Sequence, residues 1–287
     1  MYKAAIVGPH TCYIVEDGKK FYLLFGDKHD EILSSDAVEY SKSIASTVYN
    51  YIEFFEKVGV NKTESEDIVV FIEAPIGIYN NTINIPSVND KRWKQWIEQN
   101  SALDVLQWFL YKHPNIKVIP VDIRFDQDYE FLHNMSLDDF FKFLNLDTLY
   151  CLEDFCDMDV LQAIALSEKD YKLLNILKRL YSSISTEKIE VIKNFFISKF
   201  LDNTIFVKSL LVDLYVIGLL ADLQDHTSTI FMMGSLHIKV IKEFLEYLGM
   251  NMIDCQHVVG DEKVDQVSVF TKKNYELLKQ YFLNKKI

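Results

Sequence analysis

The chain has 287 residues, of which 49% are hydrophobic and 25% are charged, a composition typical of a globular protein with a sizeable core. Its net charge of -12 disfavours nucleic acid and an anionic membrane as partners, because both require a basic surface. The four cysteines form no Cys-x-x-Cys pair, which disfavours a zinc knuckle and a disulfide-built fold.

The N-terminal part of the chain predicts a hairpin and a long helix. The first ten residues lack the basic segment and apolar run of a signal peptide, so we expect reduced thiols and a cytoplasmic location. Two β-prone runs, 11–16 and 20–25, flank Asp17-Gly18, which is typical of a β-hairpin. Apolar residues recur at intervals of three and four over 35–58, which predicts one helix.

The rest of the chain alternates short apolar runs with helical patterns. The apolar segment 209–220 is interrupted by Asp213 and is shorter than the ~20 residues of a membrane span, so it predicts a buried helix. The runs that predict strands are 67–75, 116–124, 228–234, 251–259 and 265–270. The segments that predict helices are 91–112, several within 127–224, 235–249 and 272–284.

This order predicts an α/β fold with a mostly parallel central sheet that is flanked by helices. The core domain is expected to contain residues 1–126 and 225–287. Residues 127–224 are expected to form a large helical insertion or lid between two core strands.

Titratable residues follow the predicted strands at their carboxyl ends. They are His29, Glu73, Asp122, Arg124 and His237. The ligand crevice of a parallel α/β sheet lies beyond the carboxyl ends of its strands, so we expect these groups to converge. Each also has a structural interpretation, since a histidine beside a core strand is often only hydrogen-bonded, and Glu73 could face water or pair with Arg124.

Both histidines belong to a Gly-x-x-His tetrapeptide, which begins at Gly26 in one case and at Gly234 in the other. A glycine at a strand end permits a positive φ or a close approach of another backbone. Ser235 is expected to cap the following helix, which would place His237 in its first turn.

Four segments carry a resemblance to a known superfamily: "TCYIVEDGKKFYLLFGDKH", "FIEAP", "VIPVDIR" and "IFMMGSLH". The first, second and fourth resemble the hairpin, the glutamate strand and the two Gly-x-x-His motifs of TraB/TIKI proteins. The third resembles the Asp-x-Arg strand end of the erythromycin-esterase and ChaN-like branches. The superfamily includes metal-dependent proteases, an antibiotic esterase and a haem-iron-binding lipoprotein, and we do not expect haem in this chain.

The resemblance implies a hydrolase-like site built from His29, Glu73, Arg124 and His237, with Asp122 in support. The expected activity is hydrolysis of an ester or peptide bond in a small-molecule or peptide substrate. Two imidazoles and one carboxylate suit a divalent metal such as Mn, Co or Zn, so His29, His237 and Glu73 are the expected ligands. Arg124 would bind a substrate carboxylate or the developing oxyanion.

Two alternatives stay open at this point. In a metal-free site, His29 would act as the general base, oriented by Glu73, and His237 would donate to the oxyanion. The chain could instead be a catalytically silent binding or structural protein, for example one associated with a virion. A nucleotide-binding sheet is disfavoured, since neither a Gly-x-Gly-x-x-Gly nor a Walker sequence occurs.

Overall fold

The computed structural model describes residues 2–17, 20–27, 35–60, 68–75, 116–122, 177, 179–200, 207–223, 228–259 and 262–283. The chain forms two compact units, one of Met1–Pro120 with Gln224–Ile287 and one of Val121–Leu223. Residue 126 lies outside the described residues, so the predicted boundary of the core domain stays a prediction.

The described residues include ten strands and six helices, and residues 177 and 179–183 are also helical. The strands are β1 (Ala4–Val7), β2 (Thr11–Asp17), β3 (Lys20–Asp27), β4 (Val48–Tyr49), β5 (Ile68–Pro75), β6 (Lys117–Asp122), β7 (Ser228–Gly234), β8 (Met252–Asp254), β9 (Gln256–Val259) and β10 (Glu262–Phe270). The helices are α1 (Ser35–Ile44), α2 (Tyr51–Val58), α3 (Thr186–Phe200), α4 (Val207–Asp222), α5 (Ser235–Tyr247) and α6 (Lys272–Leu283).

The strands belong to two sheets. The larger sheet has the spatial order β6-β5-β7-β3-β2-β8, and the smaller has the order β4-β1-β10-β9. In the larger sheet β7 runs parallel to both β3 and β5, whereas β2 runs antiparallel to β3 and β8. The predicted α/β fold with a central sheet flanked by helices is confirmed, and the sheet, which was predicted to be mostly parallel, is partly parallel. The second sheet was not predicted.

Strand alternation divides the large sheet into two different faces. Phe21, Leu23 and Phe25 of β3 point into a core that they share with α2, α6 and the inner face of the small sheet. Phe25 makes edge-on contacts with the rings of Tyr51 and Phe55, at centroid distances of 5.3 Å and 5.8 Å. This aromatic layer holds the two sheets together.

The opposite face of the large sheet is covered by α5, which packs against β3 and β7. The Lys242 ammonium of α5 lies 5.4 Å from the centre of the Tyr13 ring on β2. The Phe71 and Phe231 rings of β5 and β7 contact each other on this face at 5.3 Å. Residues at alternate positions of β3, β5 and β7 therefore face the helix that carries His237.

The prediction of a single helix over 35–58 is wrong. The helix ends at Ile44, and β4 then pairs in parallel with β1 before α2 begins. Asn50 starts the second helix with a capping box, because its side chain accepts from the Glu53 N–H and the Glu53 carboxylate accepts from the Asn50 N–H. The apolar spacing of three and four continued through the break, so periodicity alone could not locate it.

Apart from the last two residues of β6, the described part of the second unit is mostly helical. The segment 209–220 lies within α4, as predicted, and Asp213 is buried there together with its apolar neighbours. Tyr181 is fully buried and its hydroxyl donates to the Leu214 carbonyl at 3.0 Å. Among the described helices, none is long and apolar enough to cross a membrane.

Removal of each of two adjacent buried hydroxyls at the start of β7 should change the free energy of unfolding in opposite directions. The Ser228 hydroxyl accepts a hydrogen bond from the Phe21 N–H at 3.2 Å, whereas the Thr229 hydroxyl has no hydrogen-bond partner within the described parts of the chain. We expect Thr229→Val to raise the free energy of unfolding by about 1 kcal/mol, since an unsatisfied buried polar group is removed.

Ser228→Ala is the matched control and should lower the free energy of unfolding by about 1–2 kcal/mol, because the Phe21 N–H loses its acceptor. Urea unfolding of the two variants measures both effects. A loss of stability in Thr229→Val as large as that in Ser228→Ala would contradict the assignment.

Candidate functional site

Glu73 lies near the carboxyl end of β5, on the face of the sheet that α5 covers. Ile68, Val70 and Ile72 point into the core between the sheets, so the alternate position Glu73 points to the opposite face. Glu73 is 4% exposed. The interpretation of Glu73 as a strand-end residue that faces water is therefore wrong.

The Glu73 carboxylate is held by the start of α5. Its Oε2 accepts a hydrogen bond from the Gly234 N–H at 2.5 Å. Gly234 is the N-cap residue of α5, and this end of the helix has no side-chain cap among the described residues. A carboxylate at this position is stabilised by the free N–H groups and by the positive end of the helix dipole.

The prediction that Ser235 caps α5 is wrong. Ser235 is the first residue of the helix rather than the residue before it, and the carboxylate that meets the helix start comes from β5. The contact joins residues 161 positions apart in the chain, so no local pattern could indicate it.

His237 occupies the first turn of α5, as predicted, and is 5% exposed. Its Nε2 lies 3.5 Å from Oε1 of Glu73. One oxygen of Glu73 thus faces the Gly234 N–H, and the other faces the His237 imidazole. The structure brings these two predicted site residues together in a buried pair.

The separation of 3.5 Å is longer than the 2.7–3.2 Å typical of an N–H···O hydrogen bond. It is near the ~3.3 Å that separates two ligands of one tetrahedral ion with metal–ligand bonds of about 2.0–2.1 Å. The distance alone is therefore compatible with an ion pair and with two ligands of one divalent metal. No group of three or more His, Cys, Asp or Glu side chains is arranged to hold a metal within the residues described.

The two glycines lie side by side on neighbouring parallel strands. Gly26 of β3 is in register with Met233 of β7, and Asp27 is in register with Gly234. A Cβ atom on Gly26 would lie 2.0 Å from Oγ1 of Thr11 and 2.8 Å from Cα of Ser235. The close backbone approach predicted for these glycines is thus realised at Gly26, which allows α5 to begin directly against β3.

Asp27, which follows Gly26, belongs to the other side of the sheet. Burial raises the pKa of Tyr51, and the negative charge of Asp27 raises it further. Tyr51 lies in the core between the sheets, so Asp27 acts on that side and not at the Glu73–His237 pair. Asp27 of β3 and Glu73 of β5 therefore lie on opposite faces of the sheet.

The other predicted site residues are placed less fully. Asp122 is the last residue of β6, belongs to the second unit and is partly exposed. His29 and Arg124 lie outside the described residues, so their roles stay predictions.

Two residues at this end of the sheet were not predicted. Thr11 is in register with Gly26, and the His10 N–H donates to the Gly26 carbonyl at 2.7 Å. Because β2 runs antiparallel to β3, its first residues lie where β3 ends. The hairpin pattern could have indicated these two residues. The prediction considered only the carboxyl ends of strands, so it did not include the first residues of an antiparallel neighbour.

Comparison of the chain with protein-family models, with curated proteins and with solved structures gives no match. The resemblance to the TraB/TIKI and ChaN-like proteins therefore stays a prediction that rests on the short motifs.

Replacing Gly26 tests whether the approach of β3 to α5 is a steric requirement. We expect Gly26→Ala to lower the free energy of unfolding by about 1–3 kcal/mol, because the new methyl group overlaps the backbone of Ser235. Chemical unfolding monitored by circular dichroism measures the change.

The double variant Gly26→Ala/Thr11→Ala removes the contact with the Thr11 hydroxyl but leaves the contact with the Ser235 backbone. It should remain less stable than Thr11→Ala alone. Equal stability of these two proteins would show that the backbone of Ser235 is not the constraint.

Proposed function

We propose that the protein is a hydrolase of ester or peptide bonds and that the Glu73–His237 pair transfers the proton. The observation that carries this proposal is the buried contact between the carboxylate and the imidazole, 3.5 Å apart, beside the carboxyl ends of two parallel strands. Ligands bind at this end of parallel α/β sheets. A histidine oriented by a carboxylate is a common general base.

In the proposed reaction, the imidazole of His237 removes a proton from water, and the water oxygen attacks the carbonyl carbon of the substrate. The resulting imidazolium is stabilised by the Glu73 carboxylate. The imidazolium then returns the proton to the leaving alkoxide or amine as the acyl bond breaks. The products are a carboxylic acid and an alcohol or amine, so atoms and charge balance.

The Gly234 N–H gives Glu73 a defined role in this scheme. Because one oxygen is hydrogen-bonded to the helix start, the carboxylate cannot rotate freely, and its other oxygen stays directed at His237. The helix start also favours the ionised carboxylate, which is the form that stabilises an imidazolium. Positioning and electrostatics therefore come from the same hydrogen bond.

A divalent metal gives an alternative mechanism for the same hydrolysis, because an imidazole nitrogen that binds a metal cannot also remove the proton from water. Glu73 and His237 would provide two ligands, and His29 is the proposed third. A bound metal supplies a water of lowered pKa and polarises the substrate carbonyl. Arg124 is proposed to bind a substrate carboxylate or the oxyanion, with Asp122 in support. The proposed location is the cytoplasm, in keeping with the free thiols of the two described cysteines.

The activity can be tested with nitrophenyl esters of increasing acyl length and with fluorogenic peptides. We expect Glu73→Gln and His237→Gln each to lower kcat/KM by about 10²–10⁴-fold, the usual contribution of a positioned general base and its partner. Gln at position 73 can still accept from the Gly234 N–H, so the fold should persist.

Matched controls lie on the same helix as His237. Lys239→Gln and Glu246→Gln change exposed residues of α5 and should leave kcat/KM unchanged. Thermal unfolding of all four variants verifies folding. An active Glu73→Gln or His237→Gln protein would contradict the assigned roles, and inactivity of the wild-type chain on every substrate would favour a binding or structural function.

Metal content is tested separately from turnover. The metal-dependent mechanism requires the purified wild-type chain to contain about one divalent ion and the folded His237→Ala and His29→Ala variants to lose it, since each removes one nitrogen ligand. Elemental analysis after dialysis measures the content, with Lys239→Ala as the control. A wild-type chain that is active without a bound metal would exclude the metal-dependent mechanism and support the metal-independent one.

A further inference from the structure

Cys12 of β2 and Cys255, which follows β8, are directly opposite each other. The antiparallel register pairs Tyr13 with Asp254 and Ile14 with Ile253, so the next pair is Cys12 with Cys255. The Cys255 N–H donates to the Cys12 carbonyl at 2.9 Å, which confirms that the pairing continues to this position. Two cysteines that are 243 positions apart in the chain therefore form a cross-strand pair.

The placement of the two cysteines opposite each other is compatible with the dimensions of a disulfide. Opposed residues of an antiparallel pair have Cα atoms about 4.5–5.5 Å apart and side chains on the same face. A disulfide spans Cα separations of about 4.4–6.8 Å. Both side chains belong to the core between the two sheets, both are buried, and both are free thiols in the structure.

The pKa of Cys12 agrees with the proximity of Cys255. Burial raises the pKa of the Cys12 thiol, and the hydrogen bond with the Cys255 thiol raises it further. The Cys12 thiolate, which is the reactive form, is therefore rare while the pair is buried.

Cys255 stands at the junction of the two sheets. Its N–H is bonded to β2 of the large sheet, and its carbonyl accepts from the Val269 N–H of β10, in the small sheet, at 2.6 Å. The segment from β8 to β9 is thus an edge strand of one sheet and then of the other. A covalent bond between Cys12 and Cys255 would connect the edge segment permanently to β2.

We propose that Cys12 and Cys255 form a reversible cross-strand disulfide when the protein meets a peroxide, and that this bond locks the junction of the two sheets. The inference is independent of the proposed hydrolase activity. It adds a modification site that responds to oxidants, and both cysteines of this site are free thiols in the structure.

The chemistry is balanced with hydrogen peroxide as the oxidant. One thiolate attacks a peroxide oxygen, the O–O bond breaks, and a sulfenic acid and one water form. The second thiol attacks the sulfenic sulfur, the S–S bond forms, and the S–O bond breaks to release a second water. Two thiols lose two electrons and two protons in total, and the peroxide is reduced to two waters.

An oxidant can reach the buried pair when the edge strand β8 opens locally. The strand β8 has three residues, is the outermost strand of the large sheet and is partly exposed. Short edge segments open locally at a lower free energy than core strands. Oxidation should accordingly be slow in buffer and faster in urea concentrations below the unfolding transition.

The test uses the full-length chain with Cys151 and Cys156 replaced by serine, so that only the proposed pair can react. The protein is treated with hydrogen peroxide, free thiols are blocked with N-ethylmaleimide in denaturant, and tryptic peptides are analysed without reduction. We expect residues 4–19 linked to residues 243–263, at a mass two hydrogens below the sum of both peptides. Dithiothreitol should release the two peptides.

Cys12→Ser and Cys255→Ser in the same background are the controls, and each should abolish the linked peptide. The oxidised protein should also unfold at a temperature several degrees higher than the reduced protein, and the serine variants should show no such shift. The proposal is overturned if both thiols remain alkylatable after oxidation in buffer and in sub-denaturing urea, or if peroxide yields only sulfinic acid or bonds between chains.

Discussion

The hydrogen bond from the Gly234 N–H to the Glu73 carboxylate is the contact on which the candidate site depends. It joins the end of β5 to the start of α5 across the sheet. A buried carboxylate without a partner costs several kcal/mol, whereas a hydrogen bond to a charged group contributes about 1.5–3 kcal/mol. The hydrogen bond to the helix start therefore offsets the cost of burying Glu73 at 4% exposure, and the second oxygen of the carboxylate faces His237.

The two faces of the large sheet carry different kinds of side chain. The inner face carries Phe21, Leu23 and Phe25, whose burial against α2 and α6 contributes hydrophobic stabilisation. The outer face carries Glu73 and the close approach of Gly26 to α5. Polar groups can be placed on the outer face without disrupting the aromatic layer, because successive residues of a strand point in opposite directions.

The junction of the two sheets follows from the same topology. A single segment leaves the edge of the large sheet at Asp254 and enters the small sheet at Gln256. Gln256 donates from its side chain to the Ser268 hydroxyl at 3.0 Å, next to the cysteine pair. Polar and thiol groups are thus concentrated where the chain changes sheets, while the surrounding core is apolar. This makes the junction a natural place for a covalent lock.

Local patterns in the sequence were sufficient to predict the hairpin, the strands at 67–75 and 228–234, the α/β class and the position of His237 in the first turn of a helix. These features could be predicted because turn residues, apolar runs and the order of strands are properties of neighbouring residues. Glu73 and His237 could be proposed as partners on the argument of strand ends. The break at residues 45–50, the second sheet, the carboxylate that meets α5 and the pairing of Cys12 with Cys255 were decided by the tertiary structure. Each of these features depends on strand register or on the close approach of two backbone segments that are distant in the chain. Strand register and close approach leave no periodic signal in the sequence.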